Sequence, residues 1–223
     1  MNGHASGPKE MSLVKLRLAS LTVLALLAGC SQRGEIADGG VYATRSPCPL
    51  VGVPAGTGDI TLFNPANSAA ASAIDVSATM TNVRSTCSTV GSEVVSTVSF
   101  DVLAVRRDAS AARQVVLPFF NTVVQGGSQV VAKKVGAVGL NFAAGSQRAQ
   151  TSGQATSRVS LAAATLPENV RKLLTRPRKA GEAEAAIDPL ADPAVRDAVA
   201  RATFEQLIGF QMTEAQLRYN VTR

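Results

Sequence analysis

The residues with the most reactive side chains in this sequence are three cysteines, Cys30, Cys48 and Cys87, and a single histidine, His4. A cysteine can act as a nucleophile, bind a metal or form a disulfide, and its surroundings decide which. No two of these cysteines have the Cys-x-x-Cys spacing of a redox motif or a zinc knuckle. The chemistry of each cysteine must therefore be inferred from the segment that contains it.

The segment before Cys30 has the organisation of a secretory signal peptide. Two basic residues form a positive start, and an uncharged apolar run from Leu18 to Leu27 follows them. This run is shorter than the roughly 20 residues that a membrane-spanning helix needs, and its flanks are typical of a cleaved leader. We therefore predict a signal peptide over residues 1–29, with Met11 as an alternative start.

The four residues Leu27-Ala28-Gly29-Cys30 resemble the lipobox of bacterial lipoproteins. The resemblance implies cleavage before Cys30, a diacylglycerol on its thiol and an acyl chain on its new amino group. Several acyl chains, each burying CH₂ groups worth about 0.8 kcal/mol, make a stable anchor. Ser31 follows the cysteine, and in Gram-negative members of this class a residue other than aspartate there implies the outer membrane, facing the periplasm. The alternative is an ordinary secretory leader with a chance cysteine.

If Cys30 carries lipid, Cys48 and Cys87 remain as one pair. Export places this pair in an oxidising compartment, where a disulfide is the expected product. Closing a loop of this length stabilises a fold by roughly 3–4 kcal/mol. The alternative is two buried thiols.

The same cleavage removes His4, so the mature chain contains no histidine. Histidine-activated nucleophiles and histidine metal sites are then excluded. We predict no catalytic residue, no metal ligand, no cofactor and no enzymatic activity. The alternative is a histidine-free hydrolase that uses two carboxylates, although no spacing brings two acids together among Asp59, Asp75, Glu93, Asp101 and Asp108.

The densest positive cluster consists of Arg171, Lys172, Arg176, Arg178 and Lys179. Such a cluster can contact the phosphates of lipid headgroups or another anionic ligand, and the alternative is a solvated basic loop. Nucleic acid is not expected as a partner, because the protein is exported and the cluster has no aromatic residues for base stacking.

Hydrophobic residues make up 46% of the 223 residues, and the chain has no tryptophan. That is enough for a folded core built from aliphatic side chains. Between residues 59 and 165 apolar and polar residues alternate, with turn residues about every ten positions. Because period two indicates half-buried strands, we predict an antiparallel β-sandwich that resembles Ig-like domains in its general pattern. The strand candidates are 59–63, 74–81, 94–105, 113–124, 130–142 and 155–161.

The end of the chain changes to helical periodicity. Thr165 to Glu168 fits a capping box before a first helix. Asp192-Pro193 is predicted to start a second helix whose apolar stripe continues to Ile208, with Gly209 as its C-cap. Residues 212–223 fit either a third short helix or a strand.

The predicted organisation is therefore a signal peptide (1–29), a lipidated tether (30–58), a β-sandwich (59–165) and a C-terminal helical extension packed on it (166–223). The predicted function is a membrane-anchored envelope lipoprotein with a structural, assembly or partner-binding role. A periplasmic binding module for an anionic lipid or glycan is the alternative. The expected partners are the membrane, through the anchor, and an envelope protein.

Overall fold

The described part of the chain forms eight β-strands arranged in two sheets, and apolar and polar residues alternate along several of them. A computed structural model of the protein describes residues 45–176 and 187–222. The strands are β1 (Leu50–Gly52), β2 (Asp59–Phe63), β3 (Ile74–Val90), β4 (Glu93–Arg106), β5 (Arg113–Gln125), β6 (Gln129–Phe142), β7 (Arg148–Ser160) and β8 (Phe204–Phe210). The helices are α1 (Glu168–Thr175), α2 (Pro193–Arg201) and α3 (Glu214–Thr222), with 3₁₀ turns at Ala71–Ala73 and Pro189–Ala191. The prediction of a mainly β sandwich followed by helices is confirmed.

The two sheets have four strands each. One has the order β1-β8-β5-β6 and the other β2-β3-β4-β7. Neighbouring strands are antiparallel except for β1 and β8, which are parallel. Two long hairpins, β3–β4 and β5–β6, lie one in each sheet, and β7 pairs with β4 over a similar length.

The main core lies between the sheets and consists of the inward residues of each alternating strand. Its largest fully buried side chains include Phe100, Phe142 and Phe210. The rings of Phe100 and Phe119 meet edge to face with their centroids 5.1 Å apart, which is a favoured geometry for aromatic pairs. A second, smaller cluster contains Val94, Val123, Val159, Ala164 and Phe204.

The disulfide predicted between Cys48 and Cys87 is present, with Cα atoms 6.1 Å apart. It joins the segment before β1 to the C-terminal part of the long strand β3, and both cysteines pack against the second apolar cluster. The tether predicted over residues 30–58 is therefore not all linker, because its described part contains β1 and one end of this bridge.

The second helix is shorter than predicted, and the prediction of helix up to Ile208 is wrong. Helix α2 ends at Arg201, and residues 204–210 form strand β8 in the middle of a sheet. Gly209 lies inside this strand rather than at a helix end, and a side chain there would collide with Thr57 and the ring of Phe120. The ambiguous segment near the C-terminus forms helix α3.

Candidate functional site

Several residues of the predicted sites lie outside the described residues. These are the leader, the lipobox with Cys30, and the distal half of the basic cluster, Arg178 and Lys179. Their roles stay predictions. None of the helices in the described ranges is long and apolar enough to cross a membrane.

The proximal half of the basic cluster is partly neutralised by one carboxylate. The guanidinium of Arg171 donates two hydrogen bonds to Glu168, at 2.7 and 2.8 Å, and the ammonium of Lys172 lies 3.7 Å from the same carboxylate. The hydrogen bonds from Arg171 are the main reason that the pKa of Glu168 is lowered. Arg176 follows at the C-terminal end of α1. The described part of this cluster is thus a helix surface with internal ion pairs.

The carboxylates weighed for hydrolysis are engaged by separate partners. Asp75 pairs with Arg113, Glu93 with Arg158, and Asp59 accepts a hydrogen bond from Thr79. Within residues 45–176 and 187–222, no three His, Cys, Asp or Glu side chains are grouped so that they could hold a metal ion. Asp59, Asp75 and Glu93 are thus each engaged by a different polar side chain.

Asp101 lies in a polar cluster on the solvent side of the second sheet. Its carboxylate accepts hydrogen bonds of 2.7 Å from the amide of Asn82 and from the hydroxyl of Ser152. These two hydrogen bonds lower the pKa of Asp101, and the bond from Asn82 has the larger effect. Asn82 has a positive φ of 53° at the bulge in β3, and this conformation turns its amide toward β4. The cluster joins three neighbouring strands of the sheet.

Arg106 is a buried cation held by backbone carbonyls. Its guanidinium donates to the carbonyl oxygens of Ala109, Ala111, Ala143 and Ser146, and it lies 5.0 Å from the centre of the Phe142 ring. Because carbonyl dipoles satisfy the charge, this residue organises the two loops at one end of the sandwich. Four of the five N–H donors of this guanidinium are thereby used within the fold.

A layer of buried polar side chains separates the two apolar clusters. Gln206 of β8 is fully buried and donates to the amide oxygen of Asn121 at 3.0 Å, and both side chains reach carbonyls of β7 at 3.5 Å. Ser96 and Ser157, which are register partners, complete the layer. The amides of Gln206 and Asn121 connect the two sheets through their interior, which is a structural role, whereas the hydroxyls of Ser96 and Ser157 have no hydrogen-bond partner among the described residues.

The free edges of the sheets differ in what covers them. Strand β1 has only three residues. The β2 edge is covered by α3, where Asn220 donates to the carbonyls of Gly56 and Asp59 and the ring of Tyr219 packs edge to face on Phe63. Strand β6 has 14 residues, and no described strand pairs with its outer side. The remaining edge, β7, is lined mainly by Thr, Ser and Gln.

The first half of β6 is exposed on both faces of its sheet. Residues 129–135, which read Gln-Val-Val-Ala-Lys-Lys-Val, are all exposed. Among them, Val130 and Val135 keep about 59% and 60% of their surface accessible. The ammonium of Lys133 lies 5.7 Å from the centre of the half-buried Phe120 ring on the neighbouring strand. This segment is the most unusual surface in the described part of the chain, because apolar side chains, cations and an open backbone edge coincide.

A shallow depression of about 640 Å³ lies at one end of the sandwich, between the β3–β4 turn and the turn after β7. It is lined mostly by apolar atoms of residues such as Leu161 and Leu166 and contains no ionisable side chain.

Comparison with models of known protein families, with curated proteins and with solved structures finds no match. The candidate site therefore rests on the geometry of this chain alone. Strand β6 was predicted from the sequence, but Lys133 and Lys134 were not among the predicted site residues. The sequence signal for them is a pair of adjacent lysines inside a mostly apolar strand that contains no acid.

Proposed function

We propose that this protein is an exported lipoprotein, anchored through Cys30, whose β-sandwich binds an envelope protein partner and does not catalyse a reaction. The observation that carries the proposal is the Leu27-Ala28-Gly29-Cys30 motif directly behind a charged and apolar leader. The proposed cellular location is the outer membrane, with the sandwich facing the periplasm.

The Cys48–Cys87 disulfide supports this proposal. Disulfides persist in oxidising compartments and are rare where thiols are kept reduced. Lipid on Cys30 also leaves no unpaired cysteine in the chain, which suits an exported protein. The described side chains support binding over catalysis, since each acid weighed for hydrolysis has its own structural partner.

The proposal extends to an Ig-like arrangement of the sandwich. In Ig domains, strands A, B and E share one sheet, whereas C and F pair in the other and C′ follows C. Strands β3, β4 and β7 have the connections of A, B and E, and β5, β6 and β8 those of C, C′ and F. There are two departures. Strand β1 pairs in parallel with β8 where an Ig domain has its antiparallel G strand, and β2 lies beyond β3, where the Ig sheet ends at strand A.

Metabolic labelling tests the anchor. Cells that express the full chain are grown with radiolabelled palmitate, beside cells that express Cys30→Ser and, as a matched control, Cys48→Ser/Cys87→Ser. We expect label in the wild type and the control and none in Cys30→Ser. Unlabelled wild-type protein, or label that persists in Cys30→Ser, contradicts the anchor.

A further inference from the structure

We infer that the outer edge of β6, at residues 129–136, binds an extended segment of a partner protein that carries two adjacent acidic residues. The segment adds as a further strand beside β6. The inference deepens the proposed partner-binding role and rests on it, but it does not depend on the lipid anchor.

The backbone of β6 supplies the hydrogen-bonding template. Along a strand with one neighbour, alternate N–H and C=O groups point away from that neighbour. Strand β6 pairs only with β5 among the described strands, over its whole length from Gln129 to Phe142. Main-chain pairing of this kind provides affinity in β-strand addition, and the side chains beside the edge provide selectivity.

The charge of this side of the sandwich selects the partner. Strands β5 and β6 contain no acidic residue, and their basic residues are Lys133 and Lys134 at this end and Arg113 at the other end, where it pairs with Asp75. Neither Lys133 nor Lys134 has an ion-pair partner among the described residues. A strand added beside them is stabilised by acidic side chains and destabilised by basic ones, because cross-strand neighbours lie about 5 Å apart.

The pleat of β6 sets the spacing of those acids. Lys133 faces the same side of the sheet as Val135 and Phe120, whereas Lys134 faces the side of Asn121, its register partner. Two adjacent acids on the added strand reach both lysines, one on each face. Apolar residues beside the acids then cover the exposed side chains of Val131 and Val135.

A second copy of this chain is a poorer occupant. Antiparallel pairing of β6 with a second β6, centred on Lys133 and Lys134, places these lysines opposite the same two lysines, and like charges opposite one another disfavour pairing. Lysines on an edge strand discourage such self-association. An acidic segment of another protein removes this repulsion.

Binding of designed peptides to the full chain, purified in detergent micelles, tests the inference. The probes are fluorescein-labelled TVTVEEVTVT and a control, TVTVKKVTVT, measured by fluorescence anisotropy. We expect the acidic peptide to bind at least about tenfold more tightly than the basic one. The variant Lys133→Glu/Lys134→Glu is expected to reverse this preference.

Two controls distinguish strand addition from loose electrostatic attraction. Lys133→Gln/Lys134→Gln should weaken the acidic peptide about tenfold, whereas the matched neutralisation Arg171→Gln/Lys172→Gln should leave its affinity unchanged. An acidic peptide N-methylated at alternate residues should not bind, and the unmodified peptide should slow amide hydrogen exchange at residues 129–136.

Equal affinity for both peptides, no binding of either, or no protection of the β6 amides overturns the inference. So does sedimentation of the unliganded protein as a dimer with these amides protected, since a second copy then fills the edge. None of these results bears on palmitate labelling at Cys30, so failure of the edge assignment and failure of the anchor are distinguishable.

Discussion

Arg113 of β5 donates two parallel hydrogen bonds to Asp75 of β3, at 2.8 and 2.7 Å, and so joins the two sheets of the sandwich. The Asp75 side chain keeps only 14% of its surface exposed, and the hydrogen bonds with it raise the pKa of Arg113. Bidentate, charge-assisted bonds of this kind are stronger than ordinary surface ion pairs. We expect Arg113→Ala to lower the free energy of unfolding by about 1–2 kcal/mol, as measured by urea denaturation.

The matched control for this variant is Arg158→Ala. Arg158 and Glu93 form an ion pair at 2.9 Å between adjacent strands of one sheet, with both side chains close to half exposed. Its removal should cost less than about 0.5 kcal/mol. Equal losses of unfolding free energy in the two variants would show that the Arg113–Asp75 pair stabilises the fold no more than the Arg158–Glu93 pair does.

The disulfide should contribute a large share of the stability of the sandwich. Cys48 and Cys87 are 39 residues apart, and closing a loop of that length removes unfolded-chain entropy worth about 4 kcal/mol. We expect Cys48→Ala/Cys87→Ala to lose a comparable free energy of unfolding, measured in urea without reductant. A loss below about 1 kcal/mol would mean that the bridge does not constrain the unfolded chain as this account requires.

How much of the fold the sequence predicts depends on where each strand finds its neighbours. Alternation identified the strands of both long hairpins, because their partners are adjacent in sequence. Strand β8 was missed because Gln206, a polar residue that is fully buried, interrupts the apolar alternation of Phe204, Ile208 and Phe210. Ile208 also continues the helical stripe of α2 by chance, and only pairing with the distant β5 decides the conformation.

The exposed edge of β6 likewise could not be predicted from the sequence. The sequence contains Lys133 and Lys134 in a predicted strand, but whether that strand is central or at an edge depends on pairing between sheets and on the chirality of their connections. The basic cluster at residues 171–179 was a predicted contact for an anionic ligand because its five charges lie close together in sequence. Its pairing with Glu168, three and four residues earlier, follows from the helix that forms there.

The Asp101 cluster makes a prediction about pH. Because hydrogen bonds from Asn82 and Ser152 lower the pKa of Asp101 in the folded protein, its contribution to stability is present above the usual carboxylate pKa and is lost as pH falls through the folded value. Asn82→Gly keeps the positive φ and removes the amide. We expect this variant to raise the pKa of Asp101, measured by NMR titration of its side-chain carboxyl carbon.

Asp108 provides an internal reference for that titration. Its pKa is lowered mainly by a hydrogen bond from the backbone of Ser110, which Asn82→Gly leaves in place. The pKa of Asp108 should therefore not move. A parallel rise at both carboxylates would indicate a change in the whole fold and would contradict the local explanation.

The bond between Gln206 and Asn121 makes the buried polar layer testable by a double-mutant cycle. The amide of Gln206 donates to Asn121 at 3.0 Å inside the sandwich, so Gln206→Met leaves a buried acceptor without this donor and should cost about 1–3 kcal/mol. Adding Asn121→Leu removes that acceptor too, and apolar replacement of both partners is often nearly neutral. We expect the double variant to be more stable than the sum of the single losses predicts, by about 1 kcal/mol or more in urea denaturation. Strict additivity would mean that the two amides act independently, and the interior bridge between β5, β8 and β7 would then contribute only through packing.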